Sequence, residues 1–448
     1  MTGPAILKLT EMLCGARLDA IPPATAERAA DCILDVLGAA LAGRHMAGTR
    51  AMAKAMLPAA ASGPATLWFT PGGKTATIPA ATVNAMSATV LDVDDGHRRA
   101  AGHPGAAVVA AAIAAAEEAD ASMTDLITAT VVGYEAAIRV ALARNPAHHT
   151  STVSGRWSGV GAASAAAWLR HHDPAQMAQS ILIAEQHAPR AASALHHGFA
   201  GSDVKEAIAW SVHTGMYAVG LAQNGFRGYP ETFDQNILYD PAELCRDPDR
   251  FIAIGGLFFK PYACCRWIHS AIDALAELMQ AHRLAPEAIE KVTVHTFQRA
   301  VGLGNHVAPR TEVEAQFSIP FTLGVTAVHG KAALLPLHAG LLADADVQDF
   351  ARKVVIRHDP AIEAEFPVKA PARVEVETGS ETVGLYVNAA FGDPTNPMSR
   401  GDLQRKFDRL AQGELSATAV TGLVQSLDDW RSNQRQKVRD WAAQLRSA

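Results

Sequence analysis

Between Ala26 and Leu41 the apolar residues Ala29, Cys32, Ile33, Val36, Leu37, Ala40 and Leu41 recur at intervals of three and four, the spacing of one face of an α-helix. Pro22 and Pro23 precede this run and Gly43 follows it, as helix starts and stops require. The same spacing predicts helices over 125–142, 159–170 and 174–183, and alanine-rich runs predict two more over 80–89 and 106–119. Period-two alternation appears only in the second half. Lys291 to Thr296, Lys353 to Arg357, Arg373 to Glu377 and Thr382 to Val387 alternate as half-buried strands do. Helical spacing then returns for 403–410 and 418–445. Helices, then a mixed region, then helices predict a mainly α protein, with an α+β part inserted into a helical domain formed from both chain ends.

Composition narrows the class. The 448 residues are 49% hydrophobic and 19% charged, enough apolar surface for a large core and more than one domain. The net charge of −6 and the lack of any Lys/Arg-rich run argue against nucleic acid as a partner, so an anionic ligand must be gathered by a local pocket. The first five residues lack the basic start and apolar core of a signal peptide, and no apolar run is read as long enough to span a membrane. Five scattered cysteines read as reduced thiols, and a cytoplasmic location is expected.

Two short stretches concentrate the candidate chemistry. Leu91-Asp92-Val93-Asp94-Asp95-Gly96-His97, with His103-Pro104-Gly105, sets three carboxylates and two imidazoles in a break between helices. Each carboxylate there can tune a neighbouring imidazole for proton transfer, although the same residues also suit a solvated turn that caps the next helix. The second stretch, Lys260-Pro261-Tyr262-Ala263-Cys264-Cys265-Arg266-Trp267-Ile268-His269, gathers a cation, a phenol, two thiols, a guanidinium and an imidazole. Adjacent cysteines do not readily chelate one zinc, so this pair reads as small hydrophobes. Lys260 and Arg266 remain for anionic oxygens, with Tyr262 and His269 as proton carriers. The neighbouring pairs His171-His172 and His196-His197 are not read as a metal site. No G-x-G-x-x-G follows a strand and no P-loop is present, so no cofactor is expected.

These two clusters, in this order, resemble the MmgE/PrpD family, which includes 2-methylcitrate dehydratase, cis-aconitate decarboxylase and iminodisuccinate epimerase. Further resemblances are Asp35-Val36-Leu37-Gly38, Ala315-Gln316-Phe317-Ser318-Ile319-Pro320, Gly392-Asp393-Pro394 with Asn396-Pro397, and Leu403 with Lys406-Phe407. The resemblance implies a helical domain of residues 1–255 and 391–448, an α+β lid domain at 256–390, a homodimer and an active site between the domains. Its motifs place the catalytic residues at Asp92, His103, Lys205 and His269. Lys260, Tyr262, Arg266, His149 and His97 are expected to contact a small di- or polycarboxylate.

The departures from the family pattern carry information of their own. Gly96 replaces a threonine, Gln316 a lysine, and Glu206-Ala207-Ile208-Ala209-Trp210 a segment with an arginine and a histidine. His148-His149-Thr150-Ser151-Thr152 offers two histidines for one. All the family's reactions develop carbanionic character beside a carboxylate, which bound cations must stabilise. A dehydratase also needs an acid for the leaving hydroxyl, whereas an epimerase needs a base on each face of one carbon. Histidines and lysine without the threonine hydroxyl favour an epimerase acting on iminodisuccinate. A hydro-lyase or decarboxylase is the alternative, and an inactive polycarboxylate-binding protein is a third reading.

Overall fold

The computed structural model describes residues 3–149, 151, 153–190 and 201–447, and the His196-His197 pair lies outside them. The protein is mainly α with a small α+β part. Helices Pro23–Gly43, Thr77–Thr89, Gly105–Glu118, Met123–Ala143, Ser158–Leu169, Pro174–Gln186 and Ile208–Gln223 pack side by side. Several are buried on every side: all residues from Gly105 to Glu117 are. Alanine and glycine make this possible, because small side chains let helix backbones approach. A methyl group on Gly215 would collide with the Gly159 carbonyl, and one on Gly159 would stand 2.6 Å from the Ser211 oxygen.

Met123–Ala143 corrects one expectation: at 21 residues it has the length and hydropathy of a membrane span. Its apolar window is almost wholly buried in the protein, so it serves as a core helix. Ser122 and Asp125 close its start with a reciprocal capping box.

The predicted strands form one sheet. Strands β1 (Ile289–Thr296), β2 (Val354–His358), β3 (Ala372–Thr378) and β4 (Thr382–Val387) are ordered β2-β1-β3-β4. β1 runs parallel to β2 with Val292 beside Val354, and antiparallel to β3 with Val294 beside Val374. The buried face of β3 carries Ala372, Val374 and Val376, as period two requires, and helix His269–His282 packs against β3 and β4.

The chain then returns to the helical body. Helix Arg400–Ala411 lies on Pro23–Gly43, where buried Lys406 Nζ meets Asp35 Oδ1 at 2.5 Å and Gly38 makes room for the Phe407 ring. The helix predicted over 418–445 is interrupted: Ala417–Asp428 ends in a 3₁₀ turn, and only short turns follow at Val438–Trp441 and Gln444–Ser447. Here the carbonyls of Gln434 and Gln436 accept hydrogen bonds from Thr124 and Met123 (3.2 and 2.9 Å), satisfying the open start of the core helix.

Two residue pairs form a short ladder between distant parts of the chain. Gly96–His97 pairs antiparallel with Leu257–Phe258, Gly96 opposite Phe258 and His97 opposite Leu257. This ladder lays the first chemical cluster against the second.

Candidate active site

Asp92 lies just beyond the end of helix Thr77–Thr89 in left-handed backbone (φ 54°), which turns its carboxylate inward. Lys260, fully buried, donates to Asp92 Oδ2 at 3.0 Å and to its carbonyl at 2.9 Å. Lys205 Nζ lies 3.9 Å from Asp92 Oδ1 and His103 Nε2 3.6 Å from the same oxygen. Burial opposes ionisation of Asp92, but Lys260, Lys205 and His103 outweigh it and bring the carboxyl down to about 2. Burial lowers the Lys205 pKa, and the ammonium is held by the Thr89 and Val90 carbonyls (both 3.1 Å) and Gln316 Oε1 (2.8 Å).

His103 has a defined tautomer. Its Nδ1 stands 2.7 Å from the Asp95 carbonyl, an obligate acceptor, so Nδ1 carries the hydrogen. In the neutral ring this leaves an open lone pair on Nε2, between Asp92 Oδ1 and Glu206 Oε1 at 3.9 Å. The aspartates beneath stiffen the loop. Asp95 accepts from Tyr134 (2.5 Å) and the Gly105 amide (3.0 Å), and burial together with nearby Asp35 raises it to about 7. Asp94 is fully buried, among the described residues neither carboxyl oxygen has a hydrogen-bond partner, and burial raises its pKa.

Asp92, His97, His103, Glu206, Lys260 and Arg266 line one cavity of about 690 Å³, with Arg98, Arg299, Phe258 and Trp267 also on its wall. Arg98 and Arg266 both lie over the Phe258 ring and share Asp393 (3.5 and 3.7 Å). Gly96 admits that ring, since any side chain there would collide with it. A larger recess of about 1330 Å³, sharing Arg98, Glu206, Trp267 and Arg299 with this cavity, is lined also by Arg99 and Arg144. Cations thus line the adjoining recess as well as the cavity wall, the arrangement that gathers small anions. Among the described residues no group of three or more histidines, cysteines or acids is placed to hold a metal ion.

Comparison with known proteins identifies the family. Residues 7–239 match the MmgE/PrpD N-terminal domain and residues 262–429 the MmgE/PrpD C-terminal domain. The chain belongs to the MmgE/PrpD family. It is 24% identical to each of two curated proteins from Aspergillus terreus, both named cis-aconitate decarboxylase, with 92% of this chain and 90% of each relative covered.

Against the pattern expected of an MmgE/PrpD protein, the site residues divide. Asp92, His103, His97, Lys260 and Arg266 line the cavity, and Lys205 stands behind Asp92 without lining it. His269, which the family motif places among the catalytic residues, does not line the cavity. It is fully buried, with Nδ1 accepting from Arg266 and Nε2 donating to the Cys264 carbonyl, both at 3.1 Å. Burial and Arg266 push its pKa well down, so it is a neutral structural imidazole. Tyr262 donates instead to Asp273, and burial raises its phenol pKa. His149 bonds the Leu238 carbonyl (3.0 Å) in a separate cavity with His148, Arg156 and Glu185. The Arg266 fork, expected to grip a substrate carboxylate, is spent on the Phe391 and Ala390 carbonyls (2.9 and 3.0 Å). His97 accepts from the Ala100 amide at Nδ1, and burial lowers it to about 4, leaving a neutral donor.

Sequence reasoning missed Arg98, Arg299, Phe258 and Trp267. Arg98 adjoins His97 and was open to notice, whereas Arg299 lies far from both clusters in sequence.

Proposed function

We propose that this chain is an enzyme acting on a small di- or polycarboxylate, with His103 moving a proton at a carbon α to a carboxylate. The observation that carries this reading is the His103 imidazole, tied at Nδ1 and open at Nε2, in a cavity lined by Lys260, Arg98, Arg266 and Arg299. Lysine and arginine offset the charge that builds on the substrate carboxylates as the α-carbon becomes carbanionic.

Lyase chemistry is the favoured direction. Inverting a centre calls for a base on each face, and His103 is the one cavity-lining imidazole among the described residues with an open lone pair. Decarboxylation requires a single proton carrier: the bond to a carboxylate breaks, CO₂ leaves, and the electron pair left on carbon takes the proton from protonated His103. The names of the two Aspergillus relatives support this direction. Epimerisation of an amino-dicarboxylate such as iminodisuccinate is the second reading, favoured by Gly96 in place of a hydroxyl and by Glu206 as a second group beside His103. The expected homodimer would have the exposed Trp210 and Tyr217, with half-buried His213 stacked between them, to cover.

Incubating the purified protein with cis-aconitate, methylcitrate and iminodisuccinate in D₂O, followed by NMR and CO₂ detection, separates the readings. CO₂ release with deuterium taken up at one position, or loss of water to an alkene, supports the lyase. Stereoinversion with α-deuterium supports the epimerase. Absence of both exchange and turnover with every polycarboxylate tried refutes the proposal.

A further inference from the structure

Glu206 sits on the cavity wall in a turn where Lys205 (φ 44°) and Ala207 (φ 57°) both adopt left-handed backbone, a region that side chains other than glycine seldom occupy. The turn sends Lys205 inward behind Asp92 and Glu206 into the cavity. The segment Ser154-Gly155 clamps it in place. The Gly155 amide donates to the Glu206 carbonyl at 2.8 Å, and a methyl group on Gly155 would stand 2.5 Å from that oxygen. The Ser154 amide donates to Glu206 Oε2 at 2.9 Å, and the Ser154 hydroxyl donates to the same atom. That hydroxyl, fully buried, also accepts from the His103 amide at 2.9 Å. Glu206 and His103 are therefore referenced to one serine oxygen.

The two carboxylate oxygens of Glu206 differ. Oε2 is saturated by Ser154. Oε1 stands 3.9 Å from His103 Nε2 and accepts no hydrogen bond from any described residue. Asp92, the other acid on this wall, is matched by Lys260 and Lys205, but among the described residues no lysine or arginine forms an ion pair with Glu206. A carboxylate accepts hydrogen bonds and cannot donate them. On the wall of an anion-gathering cavity it repels every substrate carboxylate that nears it, unless the substrate presents an N–H or O–H to Oε1.

We propose that Glu206 is a specificity-determining residue: Oε1 accepts a hydrogen bond from a hydroxyl or amine beside the carbon that His103 addresses, selecting a hydroxy- or amino-polycarboxylate over one without a donor. The inference rests on the polycarboxylate reading above and narrows its substrate class.

Succinate and malate test it, because they differ by one hydroxyl. Calorimetric titration of succinate, L-malate and D-malate into the unmodified protein is expected to show one malate enantiomer binding on the order of ten-fold more tightly than succinate, the worth of a hydrogen bond to a charged group. In Glu206→Gln the two Ser154 donors hold the amide oxygen in the Oε2 place, so the amide nitrogen, a donor, replaces Oε1. The preference for malate is expected to vanish in Glu206→Gln and in Glu206→Ala, while succinate affinity holds or rises. Circular dichroism of both variants verifies the fold, and Glu206→Gln keeps the shape if Glu206→Ala does not fold. Equal affinity for succinate and both malates in the unmodified protein overturns the inference, as does a preference that survives both substitutions. Either result leaves the polycarboxylate reading standing. A protein that binds neither succinate nor malate, and that neither exchanges nor turns over any polycarboxylate in the D₂O assay, overturns both.

Discussion

Replacing Asp95 by asparagine offers the sharpest test of the buried charge beneath the site. Burial, then the neighbouring Asp35, raise Asp95 from 3.8 to about 7. A carboxyl raised on folding adds stability that is complete below about pH 4 and is lost as pH rises toward 7. The difference spans roughly three pH units, and at about 1.4 kcal/mol each it comes to about 4 kcal/mol. Asparagine keeps the acceptor for the Gly105 amide and offers an N–H to Tyr134, whose own hydrogen can turn to Cys32, so the loop keeps its shape without titrating. Unfolding entropy near 2 cal/mol/K per residue makes 4 kcal/mol worth about 4 °C in a chain of this size. Melting curves of both proteins at pH 5 and pH 8 should therefore show the variant gaining about 3 °C on the unmodified protein across that window. Activity should persist, because His103 is held by the Asp95 carbonyl and not by its side chain. A melting difference that stays constant from pH 5 to 8 would refute the reasoning.

Three further outcomes are expected. His103→Ala should lower kcat by ~10²–10⁴ in a turnover assay while circular dichroism stays unchanged, since the open imidazole nitrogen is what the proposed chemistry uses. His269→Ala should do the reverse, costing about 1–3 kcal/mol in urea denaturation through its two lost hydrogen bonds and leaving most of kcat. Asp92→Asn should cost about 3–5 kcal/mol in the same assay, because Lys260 and Lys205 stay buried without their carboxylate. In the unmodified protein the Asp92 contribution should fade as pH falls from about 4 toward 2, the range between its ordinary and its depressed pKa.

Periodicity located most helices and all four strands of the main sheet, since burying one face leaves a repeat that one sequence can show. It failed at 432–437, where the chain leaves the helix to bond the start of a distant one, a partner no local pattern names. The site was legible where chemistry is clustered: Asp92, His97 and His103 in one loop, Lys260 and Arg266 in another. His269 misled because a motif fixes position along the chain but not which way the ring turns, and here both ring nitrogens are taken by the backbone and Arg266. Glu206 was visible only as a departure from the family pattern, and its meaning waited on Ser154, about fifty residues upstream.

The short ladder between Gly96–His97 and Leu257–Phe258 bears on how the protein is made. Asp92 is deep inside the body formed by the first half of the chain, yet the lysine closest to it is residue 260. A nascent chain that ends before that lysine has a carboxylate to bury and lacks its principal counter-charge, so the helical half cannot close fully over Asp92 by itself. Closing the loop between the two strands orders about 160 residues, whose entropy grows slowly with length but must be met at once. The pocket is thus a late product of synthesis. An N-terminal fragment ending near residue 255 should be less compact than the same residues in the whole protein, and more open to proteolysis around Asp92.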